Sequence, residues 1–87
     1  MAFLDVVKLA IPIKSEERDE DISRLISAGF RDLNFADVVA DETTTDPAII
    51  EAVVTYVKMN FDAPENYDKL YASYTEQKAQ LQTAHLV

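Results

Sequence analysis

The stretch DPAIIEAVVTYVKMNF, residues 46–61, carries three charged side chains, Asp46, Glu51 and Lys58, in a chain of which 28% is charged. Its reading decides the fold. The β-branched run of Ile, Val and Thr suits a strand as well as a helix, so propensity alone leaves both open. Length and punctuation separate them. Asp46 followed by Pro47 sets a good N-cap before a residue favoured at the first helical position, and no Gly or Pro interrupts the residues that follow, a run too long for an ordinary strand. Wound at about 100° per residue, Ile49, Ile50, Ala52, Val53, Val54, Tyr56, Val57, Met59 and Phe61 fill well over half the circumference. Glu51, Thr55 and Lys58 are left in one narrow polar strip, so this helix needs neighbours on several sides.

Those neighbours have to come from a chain of 87 residues. A lone domain of that size buries only about 60–65% of its unfolded surface, so its own stability is expected to be modest. The whole chain has one Gly and three Pro, which leaves little turn chemistry for hairpins and points to an all-α domain. With no Cys and a single His85, disulfides, thiolate zinc sites and imidazole clusters are excluded. No apolar run approaches the ~20 residues of a membrane span, and the opening MAFLDVV lacks the basic region of a signal peptide. The expectation is a soluble intracellular protein with no membrane partner.

Sixteen acidic residues against eight basic ones give a net charge of −8, spread through the chain. Such a surface repels phosphate backbones, so gripping nucleic acid through a basic face is not expected. The acidity serves solubility in the first instance.

Three further helices flank the central one. In FLDVVKLAIP, Phe3, Val6, Val7, Ala10 and Ile11 follow amphipathic spacing, and Pro12 ends a helix over about residues 3–11. After the polar stretch KSEERDED, a helix over 19–33 places Ile22, Leu25, Ile26, Gly29, Phe30 and Leu33 on one face, with Asp19, Glu20 and Asp21 at the positive end of its dipole. Gly29 on that face implies either a close approach by another backbone or a tolerated loss of helix propensity of about 1 kcal/mol. Asn34 in the left-handed C′ position would set Phe35 against Phe30 in a Schellman cap. Residues 36–45 read as a loop anchored at Val38 and Val39, and 47–61 is the central helix. The fourth helix, over 64–82, has Pro64 in its first turn and Tyr67, Leu70, Tyr71, Tyr74 and Leu81 on one face, followed by an apolar tail over 83–87.

Nothing in the chain assembles a catalytic or metal site. The aspartates at 19 and 21 suggest a calcium loop, but Arg24 stands where the loop needs Gly and no Glu closes the span. One Gly cannot build a phosphate loop, and no Ser or Thr has an activating base. No enzyme, cofactor or metal is expected. The candidate functional residues are instead a partner or oligomer surface: Tyr67, Tyr71 and Tyr74, whose rings offer apolar area with a polar handle, and His85, Leu86 and Val87 at the C-terminus. The alternatives are an ordinary core edge for the tyrosines and a frayed terminus for the tail.

Three blocks resemble the small helical head-tail connector proteins of tailed bacteriophages and prophages, also called head-completion or DNA-packaging adaptor proteins. They are DEDISRLISAGFRDL, then DPAIIEAVVTYVKMNF, then YDKLYASYTEQKAQLQT, and with them nearly the whole chain is covered. The second is the most specific, with Asp46-Pro47, Ala52-Val53, Tyr56-Val57-Lys58 and Asn60-Phe61 running on to Tyr67, Leu70 and Tyr74. Gly29 departs from a frequent Ala and Asn34 from a frequent Gly. The resemblance implies an all-helical subunit of a ring, dodecameric in the particle, lying beneath the portal protein at the head-tail junction of the virion. DNA would pass through its lumen without specific binding, head-closure or tail proteins would dock below, and assembly would occur in the host bacterial cytoplasm. It further implies that neighbouring subunits share in covering the central helix, with residues 36–45 and 83–87 near the contacts. A negative lumen wall would let DNA slide. The competing class is an acidic regulatory module, a DNA-mimicking inhibitor or antirepressor that occupies a basic protein partner as a monomer or dimer.

Overall fold

The computed structural model describes residues 3–11, 18–41, 43–61 and 65–85, and among them the secondary structure is helical throughout. The four helices are α1 (Phe3–Ala10), α2 (Asp19–Phe35), α3 (Pro47–Asn60) and α4 (Tyr67–His85). Pro12, Pro64, Leu86 and Val87 lie outside the described residues, as do the side chains of Phe3 and His85.

α3 begins as its sequence dictates. The Asp46 carboxylate accepts from the Ala48 N–H at 2.9 Å with Pro47 in the first turn, and the helix ends where Phe61 turns extended. It packs against all three other helices, most extensively against α4 and α2. Ile49, Ala52, Val53, Val54, Val57, Met59 and Phe61 are buried around nearly its whole girth, with Ile50 and Tyr56 half-buried against the same core. Thr55 is buried as well, because its hydroxyl donates to the Glu51 carbonyl at 2.9 Å and needs no water. The polar strip therefore shrinks to Glu51 and a half-buried Lys58. Within the subunit, its own three companions already cover most of α3.

α2 presents the face its spacing predicts. Ile22, Ile26, Gly29 and Leu33 are buried, and Leu25 and Phe30 pack beside them. The nearest approach to Gly29 is by side chains rather than backbone. A Cβ there would lie 3.2 Å from Cδ1 of Tyr56 and 3.6 Å from Cγ1 of Val53, so the missing methyl makes room for a tyrosine ring.

The end of α2 falls later than expected. The helix runs through Asn34 to Phe35, and Asp37 rather than Asn34 takes the left-handed position, at φ 65°. The Val38 N–H donates to the Leu33 carbonyl at 2.9 Å and the Asp37 N–H to the Asn34 carbonyl at 3.0 Å, a complete Schellman motif. Its apolar contact joins Leu33 and Val38, both fully buried, instead of Phe30 and Phe35. Asn34 acts through its side chain, donating to the carbonyls of Phe30 and Ala40 at 2.9 and 3.0 Å and so holding the following loop against the last turn. The loop's inward residues are Val38 and Ala40, while Val39 points out.

α1 is rolled from the expected face. Val7 and Ile11 are buried and Leu4 packs on the core, whereas Ala10 is exposed and Val6 half-buried. Lys8 fixes that roll with a 2.7 Å ion pair to Asp19 at the start of α2.

Candidate interaction surfaces

The tyrosines of α4 divide into two groups. Tyr74 is buried and belongs to the core, together with Leu81 and the half-buried Leu70. Its hydroxyl donates to Asp32 of α2 at 2.5 Å, and Lys78 donates to the same carboxylate oxygen at 3.2 Å while lying 5.3 Å from the Tyr74 ring centre. Tyr74 also meets Tyr56 edge to face with ring centres 5.4 Å apart. α4 is thus pinned to α2 and α3 at one point. Burial, reinforced by the hydrogen bond to Asp32 and by its charge, raises the Tyr74 phenol well above its ordinary pKa, and burial followed by the charge of Asp32 raises Tyr56 in the same direction.

Tyr67 and Tyr71, by contrast, are exposed and stacked on each other, ring centres 6.1 Å apart and 27° from parallel. Of the candidate surface Tyr67, Tyr71 and Tyr74, the structure leaves the first two available to a partner and withdraws the third. The expected tail is corrected in part. Thr83, Ala84 and His85 continue α4, with the Thr83 hydroxyl donating back to the Ala79 carbonyl at 3.1 Å. Leu86 and Val87 lie outside the described residues.

Two surfaces escaped the sequence reading. At the C-terminal end of α2, Phe35 is 77% exposed and Val39 75% exposed, on either side of the Schellman turn. The Arg31 guanidinium lies 5.7 Å from the Phe35 ring centre. Asp37 and Asp41 flank them, both exposed. Asp41 accepts from the Thr43 N–H at 2.8 Å and from its hydroxyl at 2.5 Å, which lowers its pKa, and its own N–H donates to the Thr44 hydroxyl at 3.0 Å. These bonds fix the loop's path. At the other end of α2, a groove of about 210 Å³ is lined by Arg18, Asp21, Arg24, Leu25, Asn60 and Phe61. Arg18 bonds Asp21 at 3.1 Å and lies 4.6 Å from the Phe61 ring centre, so it joins the start of α2 to the end of α3. Arg24, 3.8 Å from the other Asp21 oxygen, is largely exposed at the rim. The sequence reading had set Phe35 against Phe30, whereas it is exposed, and only packing brings α3's last residues beside α2's first.

Among the described residues no helix is long and apolar enough to cross a membrane, and no three His, Asp or Glu side chains gather to hold a metal ion. Compared with protein-family models, with curated proteins and with solved structures, the chain matches none.

Proposed function

We propose that this chain is a head-tail connector subunit of a tailed phage or prophage: a structural protein that forms a ring beneath the portal, passes DNA through its lumen and docks a head-closure or tail protein. The observation that carries the reading is that the three resembling sequence blocks fall on α2, α3 and α4, the helices that build the core of an all-helical subunit. A second observation supports association. With α3 largely enclosed, the large apolar side chains that stay exposed among the described residues, Leu9, Phe35, Val39, Tyr67 and Tyr71, all lie on the outer surface of α1, α4 and the α2 end. A finished subunit that still exposes such residues is suited to burying them against copies of itself. Acidity of −8 fits a lumen that DNA slides past.

The test is light scattering over a concentration series, with and without the portal protein, followed by negative-stain imaging. Rings, dodecameric in the particle as the resemblance implies, are the expected product, with a steep concentration dependence because only closure buries every contact. Monomers under every condition, together with tight binding to a basic DNA-binding protein, would replace this reading with that of an acidic DNA mimic.

A further inference from the structure

We propose that α1 is an exchanging arm: in the ring, the α1 of one copy leaves its own body and seats on the α2–α3 surface of the next copy, in the site it fills within a single subunit. The inference rests on the ring reading and assigns the contact that would build it.

The helix itself is the first argument, because α1 has two apolar faces and the subunit uses one. Of its eight residues only Asp5 and Lys8 are charged. Leu4 and Val7, with Ile11 just beyond the helix end, face the core, whereas Leu9 is 80% exposed, Ala10 is exposed and Val6 is half-buried. A helix apolar on both sides belongs between two bodies, and a single subunit supplies one. Eight residues are also too few to hold a helix in water, so α1 is formed only where it docks.

The receiving site is the second, since it is the one α1 occupies within the subunit. Leu4, Val7 and Ile11 enter the core beside α2 and α3, and Lys8 bonds Asp19 at 2.7 Å. Asp19 stands with Glu20 and Asp21 in the first turn of α2, so the arm's one cation meets an acidic helix start. A chain of net charge −8 resists its own copies, yet Asp5 balances Lys8 and residues 3–11 carry none of that charge. Transfer to a second copy keeps every contact of the site and brings a neutral segment to it. None of these contacts distinguishes a copy's own arm from its neighbour's.

Reach is the third. From Ile11 to Arg18 the chain covers at most about 25 Å, more than the 18 Å shortest dimension of the subunit. An exchanged arm has its inner face against the host, so the donor, held within that reach, packs on the outer face and covers Leu9 and Val6. Closed and exchanged forms share one set of site contacts and differ by that added cover, which is what favours exchange. In dilute solution each arm stays at home, because its own site stands at an effective concentration in the millimolar range. One arm and one site on every copy repeat from copy to copy and close into a ring when the rotation between copies allows it.

The test mixes isotopically light and heavy wild-type chains while dilute, lets them assemble at high concentration or on the portal, and adds a carbodiimide, which joins an amine to a carboxylate already in contact. Mass spectrometry then reads which chains each Lys8–Asp19 link joins. In the assembled fraction about half of those links should join a light chain to a heavy one, the statistical share when each arm sits on the next copy, while links in the monomer fraction stay within one chain. Leu9→Asp alters an exposed position, so it should keep wild-type helicity and melting yet need at least about tenfold more protein to assemble. Assemblies whose Lys8–Asp19 links all stay within one isotope, or a Leu9→Asp variant that assembles as well as wild type, overturn the arm while the ring reading stands. Mixed links in a species that stops at two chains keep the arm and remove the ring. Wild type that never assembles, with or without the portal, removes both.

Discussion

Replacing Tyr74 by Phe removes one oxygen from the place where α2, α3 and α4 meet. The lost bond runs from a buried hydroxyl to a carboxylate at 2.5 Å. A hydrogen bond to a charged group contributes about 1.5–3 kcal/mol to stability. Asp32 keeps Lys78 at 3.2 Å and its side chain is 36% exposed, so water and a cation still satisfy it, which discounts the loss to about 1–2 kcal/mol. In a domain of this size each kcal/mol moves the melting temperature by about 4–8 °C, so Tyr74→Phe should melt about 5–15 °C lower while keeping its helicity. The pH dependence gives a second reading. Because the folded protein raises the Tyr74 phenol above its ordinary value of 10.0, the associated stability is fully present below pH 10 and declines as the pH rises above it, where the unfolded chain ionises and the folded one resists. Wild type should therefore lose stability more steeply than Tyr74→Phe in alkaline buffer. Asp32→Asn and the double variant complete a cycle whose coupling should be about 1 kcal/mol. Denaturant melts at pH 7 and above pH 10 measure all of this. A Phe variant as stable as wild type, with the same alkaline decline, would refute the anchoring role of this bond.

Asp37→Gly should raise stability by about 0.5–1 kcal/mol in a urea melt, since φ 65° suits glycine, while Asp37→Val should lower it by more than that. Gly29→Ala gains about 1 kcal/mol of helix propensity but sets a methyl 3.2 Å from the Tyr56 ring, where crowding costs about 1–3 kcal/mol; the net is a loss, and it should turn into a gain in a Tyr56→Ala background. Val53→Asp places an unpaired carboxylate at a fully buried site of α3 and should abolish the cooperative melt seen by circular dichroism. Gln77 turns its Oε1 inward with no donor facing it among the described residues, so Gln77→Met should raise the melting temperature by a few degrees.

Where the sequence misled, two local signals competed and packing chose between them. Asn34 and Asp37 can both adopt a left-handed backbone. Ending α2 at Asp37 encloses Leu33 and Val38 completely and leaves Asn34 free to grip the loop, an advantage visible only once α3 lies alongside. In α4 the face was nearly right. Tyr71 lies about 80° from the centre of the buried Leu70–Tyr74–Leu81 face, and Tyr67, though closer to it, is the first residue of the helix. A wheel gives angles but not how far the neighbours reach. α2 was legible because Ile22, Ile26 and Leu33 leave its pattern one solution. Thr55 was misread because a hydroxyl that bonds its own backbone behaves as an apolar group.

The enclosure of α3 sets an order in time. Its amides from Ala52 to Val57 have helices on every side but a narrow strip, so they should exchange hydrogen for deuterium only through global unfolding. α1 has eight residues, too few to hold a helix alone, and it is held by Val7, Ile11, Leu4 and the Lys8–Asp19 pair. It should therefore open and exchange first, a clock running from the edge of the molecule inward to the stretch on which its fold depends.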